Sequence, residues 1–223
     1  MDPDRIAELL APFLQSPPGP FAYLTDTQLR QVSAYLDLLL HWNARINLTA
    51  VREPESMVTR HFGESFFVSR QLLREREAGG RGQQAIDMGS GAGFPGLPLK
   101  IFAPALALTL IESSQKKAAF LKEAVRMLAL TYVNVFAGRG EDFPATADLV
   151  TLRAVERYER ALGTVARLVA PGGRLALLIG SAQAACTPQL LPAFAWSAPI
   201  AIPRASARVL LVGTNQPGQE FRK

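Results

Sequence analysis

The stretch that most constrains this chain is AIDMGSGAGFPGLPL, Ala85 to Leu99. An apolar run ends at Asp87, glycines follow at positions 89, 91, 93 and 96, and Pro95 and Pro98 mark the entrance of a helix. Glycine allows a tight turn and lets a ligand approach bare backbone. The helix beyond offers unpaired N–H groups and the positive end of its dipole. A strand, turn and helix of this kind form the first unit of an open α/β sheet, with a ligand site at the turn. A turn whose glycines serve only the bend is the alternative, and four glycines beside an acid argue against it.

Two cofactors use such a turn. Gly91 to Gly96 has the spacing GxGxxG of a dinucleotide site, which is weak evidence alone. Asp87, just before the first glycine, would repel a pyrophosphate. The same carboxylate, directly or through water, suits the ammonium group of S-adenosylmethionine, whose sulfur is also positive. The methyl donor is therefore the favoured ligand.

From Ala85 onward apolar strands alternate with amphipathic helices, the pattern of βαβ units and a mostly parallel sheet. Ala107 to Glu112 is the second strand. Glu112 stands where an acid accepts hydrogen bonds from ribose hydroxyls, although an acid at a helix start is also simply well placed against the dipole. Ser113 or Ser114 caps the next helix, and Lys116 and Lys117 in its first turn oppose that dipole, which points to a ligand-facing or a solvated role. Val133 to Ala137 and Asp148 to Leu152 are the third and fourth strands. After the third, Gly140 and Glu141 are placed to read the amino edge of an adenine; after the fourth, Arg153 stands at the carboxyl edge where such sheets bind ligands. A helix over Tyr158 to Val169 leads to a fifth strand, Arg174 to Ile179. A helical stretch follows over about Ala182 to Ala195, then two strands, Ala198 to Ile202 and Arg208 to Gly213. Their short connection allows a hairpin but no parallel crossover, so the last pair is antiparallel. Thr214 to Lys223 reads as a loose tail.

Before the sheet the chain is helical. Asp4 to Leu14 has helical spacing and ends at SPPGP; Thr25 with Gln28 makes a capping box for a helix to about Trp42; Pro54 opens another helix. Between them lies WNARINLTAVREPESMVTRH, dense in amides and bases. Asn43 and Asn47 can bond turn backbone there, and His61 borders an apolar stripe, the place of a packed, hydrogen-bonded histidine. The charged, glycine-rich run from Arg74 to Gln84 divides residues 1–80, a helical extension, from residues 81–223, the binding core.

Charge separates these parts too. Met1 to Ala85 holds 9 Lys and Arg against 10 Asp and Glu, whereas the remainder holds 15 against 9. A pI of about 9.7 is compatible with a polyanionic partner. With one Cys and two His the chain has few soft ligands for zinc and no internal disulfide. No apolar span crosses a membrane and no export signal is evident, so the cytoplasm is the expected compartment.

The motifs WNARINLTAVRE, RHFGES, DMGSGAGFPG, LIESSQKKAAFL, GRGEDF and LRA, in this order from about Leu36 to Val212, resemble the bacterial small-subunit ribosomal RNA guanine-N7 methyltransferases, the glucose-inhibited division protein B family. The resemblance implies an α/β fold: a doubly wound, mostly parallel seven-stranded methyltransferase sheet with an antiparallel last strand behind the helical extension. It implies action on 16S ribosomal RNA or the small ribosomal subunit; a monomer is the expected state. Asp87, Gly89, Ser90, Gly91, Phe94, Glu112, Gly140, Glu141 and Arg153 would hold S-adenosylmethionine. Asn47, Arg52, Arg60, His61, Lys116, Lys117 and Arg208 would face RNA. Guanine N7 carries a lone pair and no proton, so no proton-transfer residue is expected. Two positions depart from the family: Ile179-Gly180 replaces Lys-Gly, and Glu64-Ser65 replaces Asp-Ser. A nicotinamide-dependent oxidoreductase and a non-catalytic RNA-binding module are the competing readings, the first resting on GxGxxG and Glu112, the second on the absence of lysine at 179.

Overall fold

The computed structural model describes residues 1–15, 23–73, 83–153 and 158–216; SPPGP and most of the proposed boundary run lie outside them. Helix α1 (Pro3–Leu14) starts at Asp2, whose carboxylate accepts the Asp4 N–H at 2.8 Å. Helix α2 (Asp26–Asn43) starts with the expected capping box: Gln28 N–H donates to Thr25 Oγ1 and Thr25 N–H donates to Gln28 Oε1. Such a pair satisfies two of the first-turn donors that no helical carbonyl can reach. Helix α3 (Pro54–Met57) runs without a break through a π-helical segment, Val58–Gly63, into α4 (Glu64–Leu72). The wide turn carries Arg60 and His61, and π-helical turns within α-helices recur at functional sites.

The core follows as β1 (Gln84–Met88), α5 (Gly96–Phe102), β2 (Ala107–Ile111), α6 (Gln115–Met127), β3 (Val133–Phe136), β4 (Ala147–Arg153), α7 (Tyr158–Arg167), β5 (Val169–Gly180), α8 (Ser181–Leu190), β6 (Phe194–Trp196), β7 (Ile200–Ala201) and β8 (Arg208–Asn215). The strands form one sheet in the order β3-β2-β1-β4-β5-β8-β6, with β7 also paired to β8. β1 to β5 are parallel neighbours, and β8 runs antiparallel to β5, β6 and β7. The antiparallel last strand is as expected. The strand count is not: β6 lies where the sequence predicts the end of a helix. Helix α8 stops at Leu190 because Pro192 biases the residue before it away from helical geometry. The chain then extends and pairs Phe194 with Asn215. Asn215 in turn donates through Nδ2 to Val169 O at 3.0 Å, so the first residues of the expected tail complete the sheet.

Alternate residues along the strands face two apolar layers, the mark of a doubly wound sheet. Ala85, Leu108, Leu110, Leu149, Leu178 and Leu210 share one layer with α5, α6 and the helices of the extension. Ile86, Met88, Val150, Leu152, Leu177 and Leu211 face α7 and α8. The extension and the sheet thus share a single apolar layer. Val32, Leu36 and Leu39 of α2 have no exposure, and burial of such a side chain is worth about 1.5–3 kcal/mol. This packing fixes the π-helical turn against the carboxyl edge of the sheet. No described helix is long and apolar enough to cross a membrane.

Candidate active site

The glycine turn is built by its neighbours on all sides. Gly89 and Ser90 donate their N–H groups to Ile111 O at 2.9 and 3.0 Å, which ties the end of β1 to β2. Gly89, Gly91 and Gly93 have φ of 70°, 56° and 86°, in the left-handed region that side chains disfavour. At Gly93 the packing adds to this, since a Cβ would run into the Tyr35 hydroxyl oxygen. Tyr35 donates that hydroxyl to Ala92 O and stacks on Phe94 at 5.3 Å between ring centres, and His61 also stacks on Phe94, at 5.0 Å. A three-ring pile from α2, the turn and the π-helical segment therefore clamps the loop.

Asp87 has a structural position. It is buried behind the loop, where Gly96 N–H and Thr151 Oγ1–H donate to its two oxygens at 3.2 and 2.7 Å. Burial pushes its carboxyl up to about 6, against these hydrogen bonds. Glu112 faces the loop from β2 and accepts from Gly91 N–H at 2.8 Å and Ser114 N–H at 2.7 Å.

A cavity of about 830 Å³ opens between the loop and the extension. Its floor holds Gly89, Ser90, Gly91, Phe94 and Glu112. Its walls hold Arg60, His61, Lys117, Arg153, Arg204 and Arg208, so it is strongly basic. On the far side of Gly89 a second hollow of about 370 Å³ is lined by Met88, Ser113, Gly140, Glu141 and Thr164. Gly89 belongs to both. Glu141 accepts from Thr164 Oγ1–H at 3.2 Å, and its carboxyl is held low first by its own backbone N–H.

The basic wall is organised by Glu64. This carboxylate is 2% exposed; one oxygen accepts from Arg153 Nη2 at 3.2 Å and the other from Arg208 Nε at 3.0 Å. Arg153 Nη2 also donates to Arg60 O at 2.9 Å and faces His61 Nδ1 at 3.3 Å. Its Nη1 is buried with no hydrogen-bond partner among the described residues. Burial lowers the pKa of Arg153, and for His61 burial and then the charges of Arg153, Arg60 and Arg208 lower it to about 3. His61 is thus neutral across the working range of most enzymes.

The structure brings together most of the residues singled out in the sequence, but not all. Asp87 lines neither compartment, and Lys116 is exposed outside them while Lys117 lines the larger one. Asn47 and Arg52 bond each other at 3.1 Å, and Arg52 also donates to Asn43 O; neither lines the cavity. Asn43 is buried and accepts from the N–H groups of Leu48 and Thr49, the turn-bonding role its sequence position predicts. Ile179, where the resemblance leads one to expect a lysine, packs in the apolar layer under α8 and lines neither compartment. Sequence reasoning missed Tyr35, Thr49, Glu64 as a bridge, and Arg204. The RHFGES motif was the available signal for Glu64, an acid one turn after His61 in a basic stretch.

The residues present fit a methyl donor on the chemistry of the floor. A Cβ at Gly91 would have no neighbour nearer than Gly89 O at 3.8 Å, so bare backbone faces the cavity, with a carboxylate beside it and a carboxylate in the second hollow. No group of three or more His, Cys, Asp or Glu that could hold a metal occurs among the described residues.

Comparison with known proteins places the chain. Residues 28–190 match the family model GidB, described as rRNA small subunit methyltransferase G. The chain is 41% identical over 148 residues to ribosomal RNA small subunit methyltransferase G of Xanthomonas campestris, covering 66% of each protein. It is 39% identical over 165 residues to the Streptococcus sanguinis protein of that name, covering 71% of this chain and 68% of that one. The match thus spans about two thirds of the length of these relatives. Among solved structures, magnesium protoporphyrin IX methyltransferase of Synechocystis, with S-adenosylmethionine bound, has the same fold at a TM-score of 0.63 and 13% identity, over 86% of this chain and 98% of that one. With the family model matched from α2 to the end of α8, the chain belongs to the GidB family, rRNA small subunit methyltransferase G.

Proposed function

We propose that this protein transfers a methyl group from S-adenosylmethionine to N7 of a guanine in small-subunit ribosomal RNA. The observation that carries the reading is the pair of compartments meeting at Gly89: a smaller hollow that holds Gly140 and Glu141, and a larger cavity whose wall is basic. Gly140 and Glu141 would hold the adenine, Glu112 the ribose, and Gly89, Ser90 and Gly91 the amino-acid part. Arg153 Nη1, buried and without a partner among the described residues, would take the donor's carboxylate. Asp87 would act through the loop it braces. When bound, the donor supplies an electrophilic methyl on a sulfonium that leaves as a neutral thioether.

The chain's own task is placement. Guanine N7 attacks with an in-plane lone pair and loses no proton, so no residue has to accept one. Orientation can contribute roughly 7–11 kcal/mol at best, and the ring pile of Tyr35, Phe94 and His61 is the device that keeps the floor rigid. His61, neutral and bonded at both nitrogens, is a positioning residue. Arg60, Arg204, Arg208 and Lys117 at the mouth would meet RNA phosphates, with Lys116 outside it. Asn47 and Arg52 support this surface through the turn they hold.

The test is incorporation of labelled methyl into small-subunit particles and into deproteinised ribosomal RNA, beside calorimetric binding of S-adenosylmethionine and NAD. Methyl transfer with donor binding supports the reading. NAD binding without donor binding would favour an oxidoreductase, and RNA binding without transfer a non-catalytic module.

A further inference from the structure

The hydrogen bonds around His61 determine the polarity of Thr49, a cavity-lining residue that the sequence does not single out. A guanidinium can only donate, so the contact of Arg153 Nη2 with His61 Nδ1 at 3.3 Å makes Nδ1 an acceptor. Because His61 stays neutral, the proton is then on Nε2. Nε2–H therefore donates to Thr49 Oγ1, 2.7 Å away. Val51 N–H donates to the same oxygen at 3.1 Å. Both lone pairs of the hydroxyl are used, and its own hydrogen has no acceptor among the described residues.

We infer that Thr49 is a specificity-determining residue whose O–H donates to O6 of the target guanine. This rests on the guanine-N7 reading. The edge of guanine that presents N7 also presents O6, two acceptors side by side; adenine presents an amino donor at that place. A hydroxyl able only to donate accepts the first base and opposes the second. Arg153, Glu64 and His61 act behind it: the buried ion pair fixes the guanidinium, the guanidinium fixes the tautomer, and the tautomer fixes the hydroxyl. The arrangement also explains a histidine next to three arginines, where its neutral form is useful and its charged form would reverse the polarity of Nδ1.

The experiment is a cycle between protein and base under single-turnover conditions. A small-subunit RNA carries at the modified position guanine, inosine (O6 kept, exocyclic amine absent) or 2-aminopurine (N7 kept, O6 absent). Wild-type protein is expected to methylate inosine at nearly the guanine rate and 2-aminopurine about ten- to a hundredfold more slowly, the range for losing a base-edge hydrogen bond. Thr49→Val should slow on guanine by a similar factor and lose nothing further on 2-aminopurine, while Thr49→Ser, which keeps the hydroxyl, restores most of the rate. Donor affinity and melting temperature of each variant report folding. Thr49→Val that still separates guanine from 2-aminopurine as wild type does, or that matches wild type on guanine, overturns the assignment of Thr49 alone. Wild-type protein that leaves guanine N7 unmodified overturns the functional reading and this inference with it.

Discussion

Glu64→Gln is the substitution most informative about how the basic wall is held. The change keeps shape and one acceptor but removes the only acid that bonds Arg153 and Arg208 among the described residues. Arg153 is 10% exposed, so its charge cannot be rehydrated where it stands. Breaking a buried pair by removing one partner costs about 3–5 kcal/mol. Arg208 is 34% exposed and can turn to water, where an ion pair is worth about 1 kcal/mol or less, so the lower end of the range applies. A loss of about 3 kcal/mol in a chain of this size lowers the melting temperature by roughly 6–12 °C. Scanning calorimetry and urea unfolding measure it, the second checking that the slope with denaturant is unchanged. Glu64→Leu with Arg153→Met, which removes both charges, should recover most of the loss. Stability of Glu64→Gln within about 0.5 kcal/mol of wild type would refute the reasoning, because a buried guanidinium would then need no counter-charge.

Glu112→Ala should weaken S-adenosylmethionine by roughly 1–3 kcal/mol in calorimetry, the cost of leaving buried polar groups unpaired, and unchanged affinity would count against its place at the ribose. Asp87 predicts a pH signature: its carboxyl is raised in the folded chain from about 3.8 to about 6, so the folded state binds the proton more tightly. The stability it contributes is complete below about pH 4 and is lost as pH rises to about 6, a fall of about 3 kcal/mol that should vanish from unfolding curves of Asp87→Asn. His61, lowered to about 3, predicts single-turnover methylation without a histidine-range pH slope; a tenfold rise per pH unit there that disappears in His61→Gln would show a required base. Charge reversal at Arg60 and Arg204 should weaken RNA binding and flatten its dependence on salt, whereas salt-insensitive binding would remove phosphate contacts from the mouth of the cavity.

What the sequence revealed depended on how far apart the partners are. The capping box of Thr25 and Gln28 lies within one turn and was read correctly; the glycine turn after β1 and the acid after β2 stand where the sequence put them, with Glu112 bonded to the Gly91 N–H. Glu64 bonds Arg153 and Arg208, far along the chain, and the one local signal, an acid one turn after His61, does not say which cations it meets. Tyr35 belongs to the same class: its position on α2 reads as one more apolar residue, and only the fold brings Ala92 to its hydroxyl. Asp87 was placed correctly at the strand end but not in its contacts. It shares the strand face of Ala85, over which α5 passes, and its carboxylate accepts the Gly96 N–H. β6 escaped because three residues have no helical or strand pattern of their own and extend only by pairing with β8.

Methyl transfer to guanine N7 in ribosomal RNA is read out by nucleoside mass spectrometry of small-subunit RNA after reaction with isotopically labelled S-adenosylmethionine. One labelled nucleoside, 7-methylguanosine, is expected at a single position, reduced or absent with Glu112→Ala. Label in another nucleoside, or none while the donor is bound, would contradict it.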